Sequence, residues 1–408
     1  MLKRKIGLKL LVAGLGMALV IAGSGVASAA GHRLKAADHR SCSVAAAGSV
    51  GCLAIRRTVS VNGIVPRASS PRALIEPNGQ GVFGAKALRK AYGITALGSA
   101  TRTIAVVDAF HAATALSDLN AYRAAWGFAP LAACGSGSGQ CFSQITQDGN
   151  PSTGNTTDDG WAQETVLDVE MATAMCPNCS IAVVEASTAA FADFNTAVET
   201  ASNLPGVVAI SNSYGGPEVS ESSYGAYESA YQKGIAVVAS AGDSGFGVES
   251  PASFQHVIAA GGTSLYVSAS GSYSSESSWS GSGSGCARGP APEWQLAALT
   301  HCAGKAIADV SAVANPATGV AVFYDGQWLI FGGTSASSPI IAGILAVKHN
   351  YGVAANGVKS AGQVIWDNRA LLHDVTQGSN GSCRNYCKSQ KGWDGPSGLG
   401  SPSGTRSF

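Results

Sequence analysis

Residues 331–339 read F-G-G-T-S-A-S-S-P and contain a serine that could act as a nucleophile. Gly332 and Gly333 permit tight backbone geometry, and a helix that begins at Ser335 would offer free N–H groups beside its hydroxyl. We expect Pro339 to lie in the first turn of that helix, where proline is tolerated. Because a serine hydroxyl is a weak nucleophile, a neighbouring base must activate it. The alternative is an ordinary serine that caps a helix.

A histidine is the usual base, but none in this sequence is well placed for the role. None lies in a histidine motif typical of serine proteases, and His111 follows Asp108 too closely for the two to form an independent pair. The seven histidines are His32, His39, His111, His256, His301, His349 and His373. A subtilisin-type arrangement of Asp108, Ser335 and an unrecognised histidine remains one alternative.

Two carboxyls in the segment 161–172, W-A-Q-E-T-V-L-D-V-E-M-A, could replace the histidine. Glu164 and Asp168 are four residues apart, so on a helix they share one face. Apolar neighbours such as Val166 and Leu167 make it costly to ionise both carboxyls, which favours a shared proton and a raised pKa. A carboxylate of raised pKa can accept the serine proton as a general base. The alternative is a solvated acidic helix face.

Short apolar strands alternate with helices along most of the chain. The predicted strands are 103–108, 180–185, 207–211, 235–240 and 257–260. The predicted helices are 85–92, 116–126, 161–175, 189–202, 223–233 and 338–350. This alternation predicts a single α/β domain with a parallel sheet covered by helices on both faces. In such sheets the active site lies at the carboxyl ends of the strands, where the candidate residues fall.

Two stretches rich in small polar residues are predicted as loops. Residues 134–159 are rich in Gly, Ser, Thr and Asn, and residues 271–289 are a Ser/Gly stretch that contains Trp279. Such composition is typical of surface connections. We expect both stretches to lie outside the sheet.

The charge distribution argues against a nucleic-acid partner and suggests tolerance of acid. Charged residues make up 12% of the chain, and the net charge is +1. No Lys or Arg occurs between Arg123 and Lys233, a stretch that carries twelve Asp and Glu residues. Their mutual repulsion at neutral pH would ease in acid, where many of them would be protonated.

The N-terminal residues 1–30 have the composition of a secretory signal peptide. M-L-K-R-K is followed by an apolar run around residues 10–22 and by the small residues A-S-A-A. A membrane anchor is the alternative, although the Gly and Ser residues after Ala22 favour cleavage and export. We therefore expect a secreted protein with no membrane partner once the signal peptide is removed.

Ten cysteines are consistent with an oxidising compartment. They lie as near neighbours in sequence, so local disulfides are the simplest expectation: Cys42 with Cys52, Cys134 with Cys141, Cys176 with Cys179, Cys286 with Cys302, and Cys383 with Cys387. The C-P-N-C segment at 176–179 could instead be a redox or zinc motif. Since no second C-x-x-C accompanies it, a disulfide-closed turn is the favoured interpretation.

Three motifs together resemble one family of peptidases. They are E-T-V-L-D at 164–168, A-S-A-G-D-S-G at 239–245 and G-G-T-S-A-S-S-P at 332–339. In this order and spacing they resemble the sedolisins, or serine-carboxyl peptidases, over residues 83–402. The resemblance implies a subtilisin-like fold and an acid-active endopeptidase that forms an acyl-enzyme with polypeptide substrates. We expect it to be a monomer.

The resemblance assigns a role to each candidate catalytic residue. Ser335 is the nucleophile, Glu164 is its general base and then acid, and Asp168 is the partner that holds the glutamate. Asp243 occupies the position of the oxyanion-stabilising aspartate, which must be protonated to donate a hydrogen bond. Protonation requires an acidic working pH or a strongly raised pKa. A plain turn residue is the alternative for Asp243.

Further positions match the parts of the family's site around the catalytic residues. Asp108 is expected to extend the hydrogen-bond chain behind Glu164. The segment S-N-S-Y-G-G at 211–216 resembles the strand that pairs with the substrate backbone, which implies substrate contacts by Ser213 and Gly215. Tyr214 stands where tryptophan is common, and we expect it to support the catalytic network.

The C-terminal stretch resembles the calcium loop of the same family. It reads H-D-V-T-Q-G at 373–378 and Q-K-G-W-D-G-P-S-G-L-G at 390–400. By resemblance, one Ca²⁺ would be bound by the carboxyls of Asp374 and Asp394 and the carbonyls of Val375, Gln390 and Gly392. An ordinary polar turn is the alternative.

The domain organisation expected from these patterns has three parts. Residues 1–30 are the signal peptide, residues 31–80 are an extension or short pro-segment, and residues 81–408 form the peptidase domain with its calcium loop. Because the segment 31–80 is short, basic and rich in turn residues, we expect activation by trimming near residues 67–72. A non-catalytic protein that binds peptides or cell-wall polymers is the remaining alternative.

Overall fold

The computed structural model describes residues 34–74, 82–135, 139–154, 156–352, 358–383 and 386–408. The predicted signal peptide, residues 1–30, lies outside these ranges. Within the described ranges, no helix is both long enough and apolar enough to cross a bilayer.

Eighteen strands occur in the described residues. In chain order they are β1 (Leu34–Arg40), β2 (Gly51–Cys52), β3 (Ile55–Val61), β4 (Thr103–Ala109), β5 (Ala132–Ala133), β6 (Cys141–Thr146), β7 (Ser180–Ala186), β8 (Val207–Asn212), β9 (Tyr214–Pro217), β10 (Ala236–Ser240), β11 (Glu249–Ser250), β12 (Ile258–Val267), β13 (Tyr273–Ser278), β14 (Gly285–Cys286), β15 (Ala306–Ile307), β16 (Val310–Val313), β17 (Val320–Tyr324) and β18 (Gln327–Gly332).

The same residues form eight α-helices. They are α1 (Ala85–Ala91), α2 (Ala115–Trp126), α3 (Asp159–Met175), α4 (Phe191–Asn203), α5 (Ala226–Gln232), α6 (Ala297–Thr300), α7 (Thr334–Lys348) and α8 (Ala361–Asp367). Helices α1 to α5 and α7 correspond to the six helices predicted from the sequence.

The largest sheet has the strand order β13-β12-β10-β8-β4-β7-β6-β5, and β16 also pairs with β12. Neighbouring strands are parallel except at one edge, where β13 runs antiparallel to β12. The central strands are runs of valine, isoleucine and alanine because both faces of a parallel sheet are buried. The prediction of an α/β fold built on a parallel sheet is confirmed.

Helices cover both faces of this sheet, and alternate residues of a strand point to opposite faces. In β4, Ile104 and Val106 belong to the core that includes residues of α3 and α7. Ala105 and Val107 belong to the core that includes residues of α4 and α5. Helices α3 and α7 also pack against each other. Because the candidate base lies on α3 and the candidate nucleophile on α7, this packing brings them together.

A second sheet of order β1-β3-β18-β17 joins the N-terminal segment to the rest of the domain. Strand β3 pairs antiparallel with β18, so that Ile55 lies opposite Gly332. Strand β1 pairs antiparallel with β3 from Leu34 opposite Val61 to Arg40 opposite Ile55. Strand β3 therefore lies directly beside the strand that leads into Ser335, and β1 lies one strand further out.

Both predicted loops contain strands, so that part of the prediction is wrong. Strand β6 lies within 134–159 and pairs parallel with β7, and β13 lies within 271–289 and pairs with β12. Their serine, glutamine and threonine side chains resemble a loop, but the strands lie near or at the edge of the sheet, where one face can remain polar. Trp279 is 9% exposed and packs with Ile55 and Ala314.

All five disulfides join the cysteines that were predicted to pair. Cys176 and Cys179 close a turn directly after α3, which confirms the disulfide interpretation of the C-x-x-C segment. None of the cysteines in the described ranges is free.

Candidate active site

Ser335 lies in the first turn of α7 and is fully buried. The preceding Gly333 has φ 93°, a conformation that favours glycine, and a Cβ there would collide with the carbonyl oxygen of Leu53. The expectation for Pro339 is wrong, because α7 begins at Thr334 and the proline lies inside the helix. Since Pro339 has no N–H to donate to the Ser335 carbonyl, that oxygen instead accepts a bond of 3.4 Å from Ser213 Oγ.

Glu164 is the carboxyl that contacts the nucleophile. Its Oε2 accepts hydrogen bonds from Ser335 Oγ at 2.8 Å and from the Ala54 N–H at 2.7 Å. Its Oε1 is buried without a partner in the described structure. Burial raises the pKa of Glu164 well above its ordinary value, and the nearby Asp108 carboxyl raises it further. The predicted contact between a buried carboxyl and the serine is therefore present.

Asp168 and Asp108 lie behind Glu164, fully buried. Their carboxyl oxygens have no hydrogen-bond partner within ordinary distances and angles in the described structure. Burial raises the pKa of Asp168 well above its usual range, and repulsion from Asp108 and Glu164 adds to the shift. Burial also raises the pKa of Asp108, to about 7. Asp168 nevertheless lies close enough to Glu164 and Ser213 for both side chains to affect its pKa, and Asp108 is close enough to Thr165 for the same effect, although these contacts fall outside ordinary hydrogen-bond distances and angles.

Asp243 lies on the other side of Ser335, just beyond the carboxyl end of β10. Its Oδ1 accepts hydrogen bonds from the N–H and the hydroxyl of Thr334, both at 2.7 Å. Its Oδ2 is buried without a described partner and lies 2.7 Å from the position of a Cβ on Gly333. Burial raises the pKa of Asp243 to about 7, although Thr334 and Arg40 act in the opposite direction. A protonated Oδ2 would therefore be a free donor beside the nucleophile.

The segment after β8 supplies backbone groups to the site. The Ser213 carbonyl oxygen accepts a hydrogen bond of 3.2 Å from Ser335 Oγ, and Gly215 belongs to strand β9. The Tyr214 hydroxyl bonds to other groups: it donates to Asn212 at 2.6 Å and lies 2.9 Å from that of Tyr227. Any support from Tyr214 is thus indirect, through the position of the strand.

The described histidines contact other groups. His111 Nδ1 lies 2.9 Å from Glu185 Oε1, and His256 lies between Glu228 and Glu293. Within the residues that the structure describes, the side-chain partner of the Ser335 hydroxyl is Glu164, not an imidazole. His32 lies outside the described residues.

Sequence reasoning missed the residues that occupy the candidate substrate cleft, which is the space between β9, Glu164 and Ser335. Gly51 and Cys52 pair with β9, and Ala54 contacts the catalytic glutamate. Arg40 donates to the backbone oxygen of Asp243 at 3.0 Å. Their segment carries no recognisable motif. The one available signal was the short disulfide from Cys42 to Cys52, because a closed loop holds its ends rigidly.

The predicted calcium ligands gather in one C-terminal loop. Asp374 accepts hydrogen bonds from the Gly392 N–H at 3.1 and 3.2 Å, and buried Asp394 accepts one from the Gln390 N–H at 3.1 Å. The Val375 carbonyl oxygen lies 3.5 Å from Ser397 Oγ. Across the described ranges, no group of three or more His, Cys, Asp or Glu side chains could hold a metal ion. The candidate set is therefore two carboxyls with main-chain carbonyls, which are the hard oxygen ligands that calcium takes.

The arrangement combines a hydroxyl, a buried base and a buried acid in one site. Ser335 can transfer its proton to Glu164 along the 2.8 Å hydrogen bond, and Asp243 can donate a proton from the opposite side. These are the groups required for a serine oxygen to add to a carbonyl carbon and for the resulting oxyanion to be stabilised.

Comparison with known proteins gives a consistent result. The subtilase family model matches residues 141–362. Kumamolisin of Bacillus sp. (strain MN-32) is 34% identical over 279 residues, which cover 60% of this chain and 50% of kumamolisin. Sedolisin of Pseudomonas sp. (strain 101) is 33% identical over 169 residues, which cover 38% of this chain and 29% of sedolisin. The chain thus spans about half of the first relative and less than a third of the second.

A solved structure of Pseudomonas sedolisin, a serine-carboxyl proteinase complexed with two molecules of pseudo-iodotyrostatin, has a similar fold. The TM-score is 0.66, and the match covers 79% of this chain and 95% of the sedolisin chain at 23% identity. At this identity the likeness concerns the fold.

Proposed function

Because the chain belongs to the subtilase family and, within it, to the sedolisins, which are serine-type peptidases, we propose that it is a secreted, acid-active serine-carboxyl endopeptidase. It hydrolyses peptide bonds of polypeptide substrates through an acyl-enzyme on Ser335. The observation that carries the proposal is the 2.8 Å hydrogen bond from Ser335 Oγ to the buried carboxyl of Glu164.

In the first step, Ser335 Oγ attacks the substrate carbonyl carbon while Glu164 Oε2 takes the hydroxyl proton. Two donors reach Glu164 Oε2, whereas the oxygens of Asp168 and Asp108 accept no bond within ordinary limits. When the three carboxyls together carry one negative charge, the greater number of donors at Glu164 favours placing that charge on Glu164. Asp168 and Asp108 then act as protonated neighbours that keep the glutamate poised to accept a proton.

In the second step, the oxyanion collapses and the bond to the leaving nitrogen breaks. Glu164 returns its proton to that nitrogen, and water later hydrolyses the ester on Ser335 with Glu164 again as base. Asp243 stabilises the oxyanion through a hydrogen bond from protonated Oδ2. Thr334 keeps Oδ1 occupied by two donors, so the proton of Asp243 is directed to Oδ2.

An acidic working range follows from Asp243. Since burial raises the pKa of Asp243 to about 7, the donor is present below that pH and is lost as pH rises through it. The raised pKa values of Glu164 and Asp168 act at the other end of the range: the cluster must retain one negative charge for Glu164 to accept the serine proton, so they limit activity as pH falls. Because of Asp243, the proposed peptidase loses activity toward alkaline pH.

We also propose one Ca²⁺ in the C-terminal loop, held by Asp374, Asp394 and the carbonyls of Val375, Gln390 and Gly392. Its role would be to stabilise the loop, not to take part in catalysis. The support is the grouping of these residues and the burial of Asp394, whose oxygens accept bonds from Gln390 and Ser397.

The mature protein is proposed to act outside the cell as a monomer, with no nucleic-acid or membrane partner. Five disulfides support an oxidising compartment, and the net charge of +1 offers no basis for binding nucleic acid. The composition of residues 1–30 supports export.

The proposal is tested by incubating the purified protein with an unfolded polypeptide from about pH 3 to about pH 8 and identifying the products by mass. We expect cleavage by the wild type in acid and none by Ser335→Ala. A non-catalytic peptide-binding protein would retain the polypeptide uncut. If wild type and Ser335→Ala left the same intact substrate at every pH, the proposed function would be wrong.

A further inference from the structure

A second polar cluster lies at the carboxyl ends of β4, β6 and β7, apart from the catalytic residues. Its centre is Glu185, whose side chain is 7% exposed. Oε1 of Glu185 lies 2.9 Å from His111 Nδ1 and accepts a hydrogen bond of 2.6 Å from Gln144 Nε2. Ser152 Oγ donates to Oε2 of the same carboxyl. All three partners have an atom able to donate, which is the surrounding that an ionised carboxylate takes.

The main sheet joins this cluster to the catalytic carboxyls. Asp108 and Glu185 are paired residues of the neighbouring parallel strands β4 and β7. Side chains two residues apart on a strand point to the same face, and Val106 and Val183 both lie in the core that includes residues of α3. Asp108 and Glu185 therefore point to the α3 face as well. Since neighbouring strands lie about 4.8 Å apart, the two carboxyls leave the sheet side by side.

Asp108 passes the effect of Glu185 on to the base. Burial raises the pKa of Asp108 to about 7, and repulsion from Glu185 adds to the shift, although Thr165 acts in the opposite direction. Burial likewise raises the pKa values of Glu164 and Asp168, and for both of them repulsion from Asp108 is the next cause. The carboxyls thus form a row that runs from Glu185 through Asp108 to the base of the proposed mechanism.

We infer that Glu185 is a positioning residue for the catalytic charge: acting through Asp108, it sets the lower pH limit at which Glu164 can serve as the base. The inference rests on the proposed function, in which the catalytic carboxyls together must carry one negative charge. Because like charges repel, a negative Glu185 makes this charge more costly to hold. As pH falls, the catalytic carboxyls therefore take up their last proton at a higher pH than they would beside a neutral residue.

Other titratable groups on the neighbouring elements bond elsewhere. Asp193 on α4 accepts from a glutamine, and the carboxyls of residues 158–159 at the start of α3 accept from neutral donors. Among the described residues of the elements that pack against β7, the titratable groups that face Glu185 are thus Asp108 from β4 and His111 from the loop after it.

His111 brings an opposing charge to the cluster. Glu185, His111 and Ser152 line a cavity of about 160 Å³, so solvent reaches the cluster. In acid His111 acquires a positive charge beside Glu185, which partly offsets the negative charge of the carboxylate. The His111 side chain is 17% exposed, so solvent screens its charge more strongly than that of Glu185. We therefore expect a smaller effect from His111 than from Glu185.

The test compares the pH profiles of kcat/KM for wild type and Glu185→Gln, with a peptide substrate that has no ionisable side chain. The variant retains the size of the side chain and an oxygen that accepts from Gln144, but it lacks the charge. The acidic limb should move to lower pH, so that the rate on this limb rises about tenfold. The alkaline limb near pH 7, which is ascribed to Asp243, should stay in place. Glu199→Gln removes an exposed carboxyl on α4 and should leave both limbs unchanged.

A merely structural role for Glu185 predicts a different profile. Loss of packing or of hydrogen bonds around this side chain would lower the rate at every pH and leave the acidic limb where it is. Such a result would overturn the inference, and so would a limb that moved to higher pH. If wild type cleaved no peptide at any pH, the proposed function itself would fail.

His111→Gln tests the opposing charge and leaves the carboxyl of Glu185 in place. The acidic limb should move to higher pH, and the rate on it should fall by no more than about threefold, because solvent screens the imidazole charge. A shift to lower pH in this variant would contradict the inference. If Glu185→Gln failed to fold, the direction of the limb in His111→Gln would decide alone, and an unmoved limb would then overturn the inference.

Discussion

The buried carboxyl of Glu276 offers a measurement of stability that is separate from catalysis. Glu276 lies on β13, and its Oε1 accepts hydrogen bonds from Tyr92 at 2.9 Å and Thr263 at 2.7 Å. Its Oε2 contacts the hydroxyl of Ser401. Burial raises the pKa of Glu276 from 4.5 to about 7, although all three hydroxyls act in the opposite direction. The folded protein therefore holds a proton here that the unfolded chain releases.

The sign and size of the effect follow from this pKa shift. Below pH 4.5, the pKa of Glu276 in the unfolded chain, the folded and the unfolded protein both carry the proton, so the contribution of protonated Glu276 to the stability of the fold is fully present. As pH rises to about 7 the unfolded chain ionises first, and the free energy of unfolding falls. The shift corresponds to about 3 kcal/mol. Glu276→Gln mimics the neutral acid, since its amide can accept from Tyr92 and Thr263 and donate to Ser401.

The assay is urea unfolding of wild type and Glu276→Gln at several values between about pH 4 and pH 7. The stability of wild type relative to the variant should fall by about 3 kcal/mol across this range. Glu199→Gln, which removes a carboxyl from an exposed position on α4, controls for the change in charge alone. A relative stability that stayed constant or rose with pH would refute the reasoning.

Two further predictions concern the oxyanion donor and the metal. Asp243→Ala should lower kcat about 100- to 1,000-fold, whereas Asp243→Asn should keep a donor, because Thr334 fixes Oδ1 and directs the amide nitrogen to the place of Oδ2. The pH–rate profile of Asp243→Asn should therefore extend above the wild-type limit near 7, and an unchanged limit would count against the role of Asp243. Asp394→Ala should lower the free energy of unfolding by about 3 kcal/mol when calcium exceeds its Kd about 100-fold. A chelator should reproduce this loss in wild type, and equal melting with and without chelator would remove the calcium proposal.

The central sheet was predictable because its physical demands leave a clear pattern. Strands such as β4 and β7 are buried on both faces, so they must be short apolar runs, and the helices between them must be amphipathic or buried. The motif around Ser335 was predictable for a similar reason, since the backbone at Gly333 requires glycine. The pairing of Ser335 with Glu164 followed from motifs on two helices that pack together.

The missed features depend on backbone contacts, which leave little trace in a sequence. Strands β6 and β13 resemble loops because main-chain pairing at a sheet edge tolerates serine and glutamine side chains. The occupied cleft was missed for the same reason, because Leu53 and Ala54 contact it through their N–H groups. The contact of Ala54 joins residues 110 positions apart, which local patterns do not reveal. Buried Glu276 was likewise assigned to a polar loop.

The central claim, that Glu164 rather than a histidine deprotonates Ser335, is tested most directly by the rate of acyl-enzyme formation with a chromogenic peptide ester. It should be measured in acid for wild type, Glu164→Gln and His111→Gln. Each should be measured again with Cys42→Ser and Cys52→Ser added, so that a blocked cleft is not mistaken for lost catalysis. The account predicts a fall of about 100- to 10,000-fold for Glu164→Gln in both backgrounds and a rate within a few-fold of wild type for His111→Gln. Full acylation by Glu164→Gln, or its loss in His111→Gln, would contradict it.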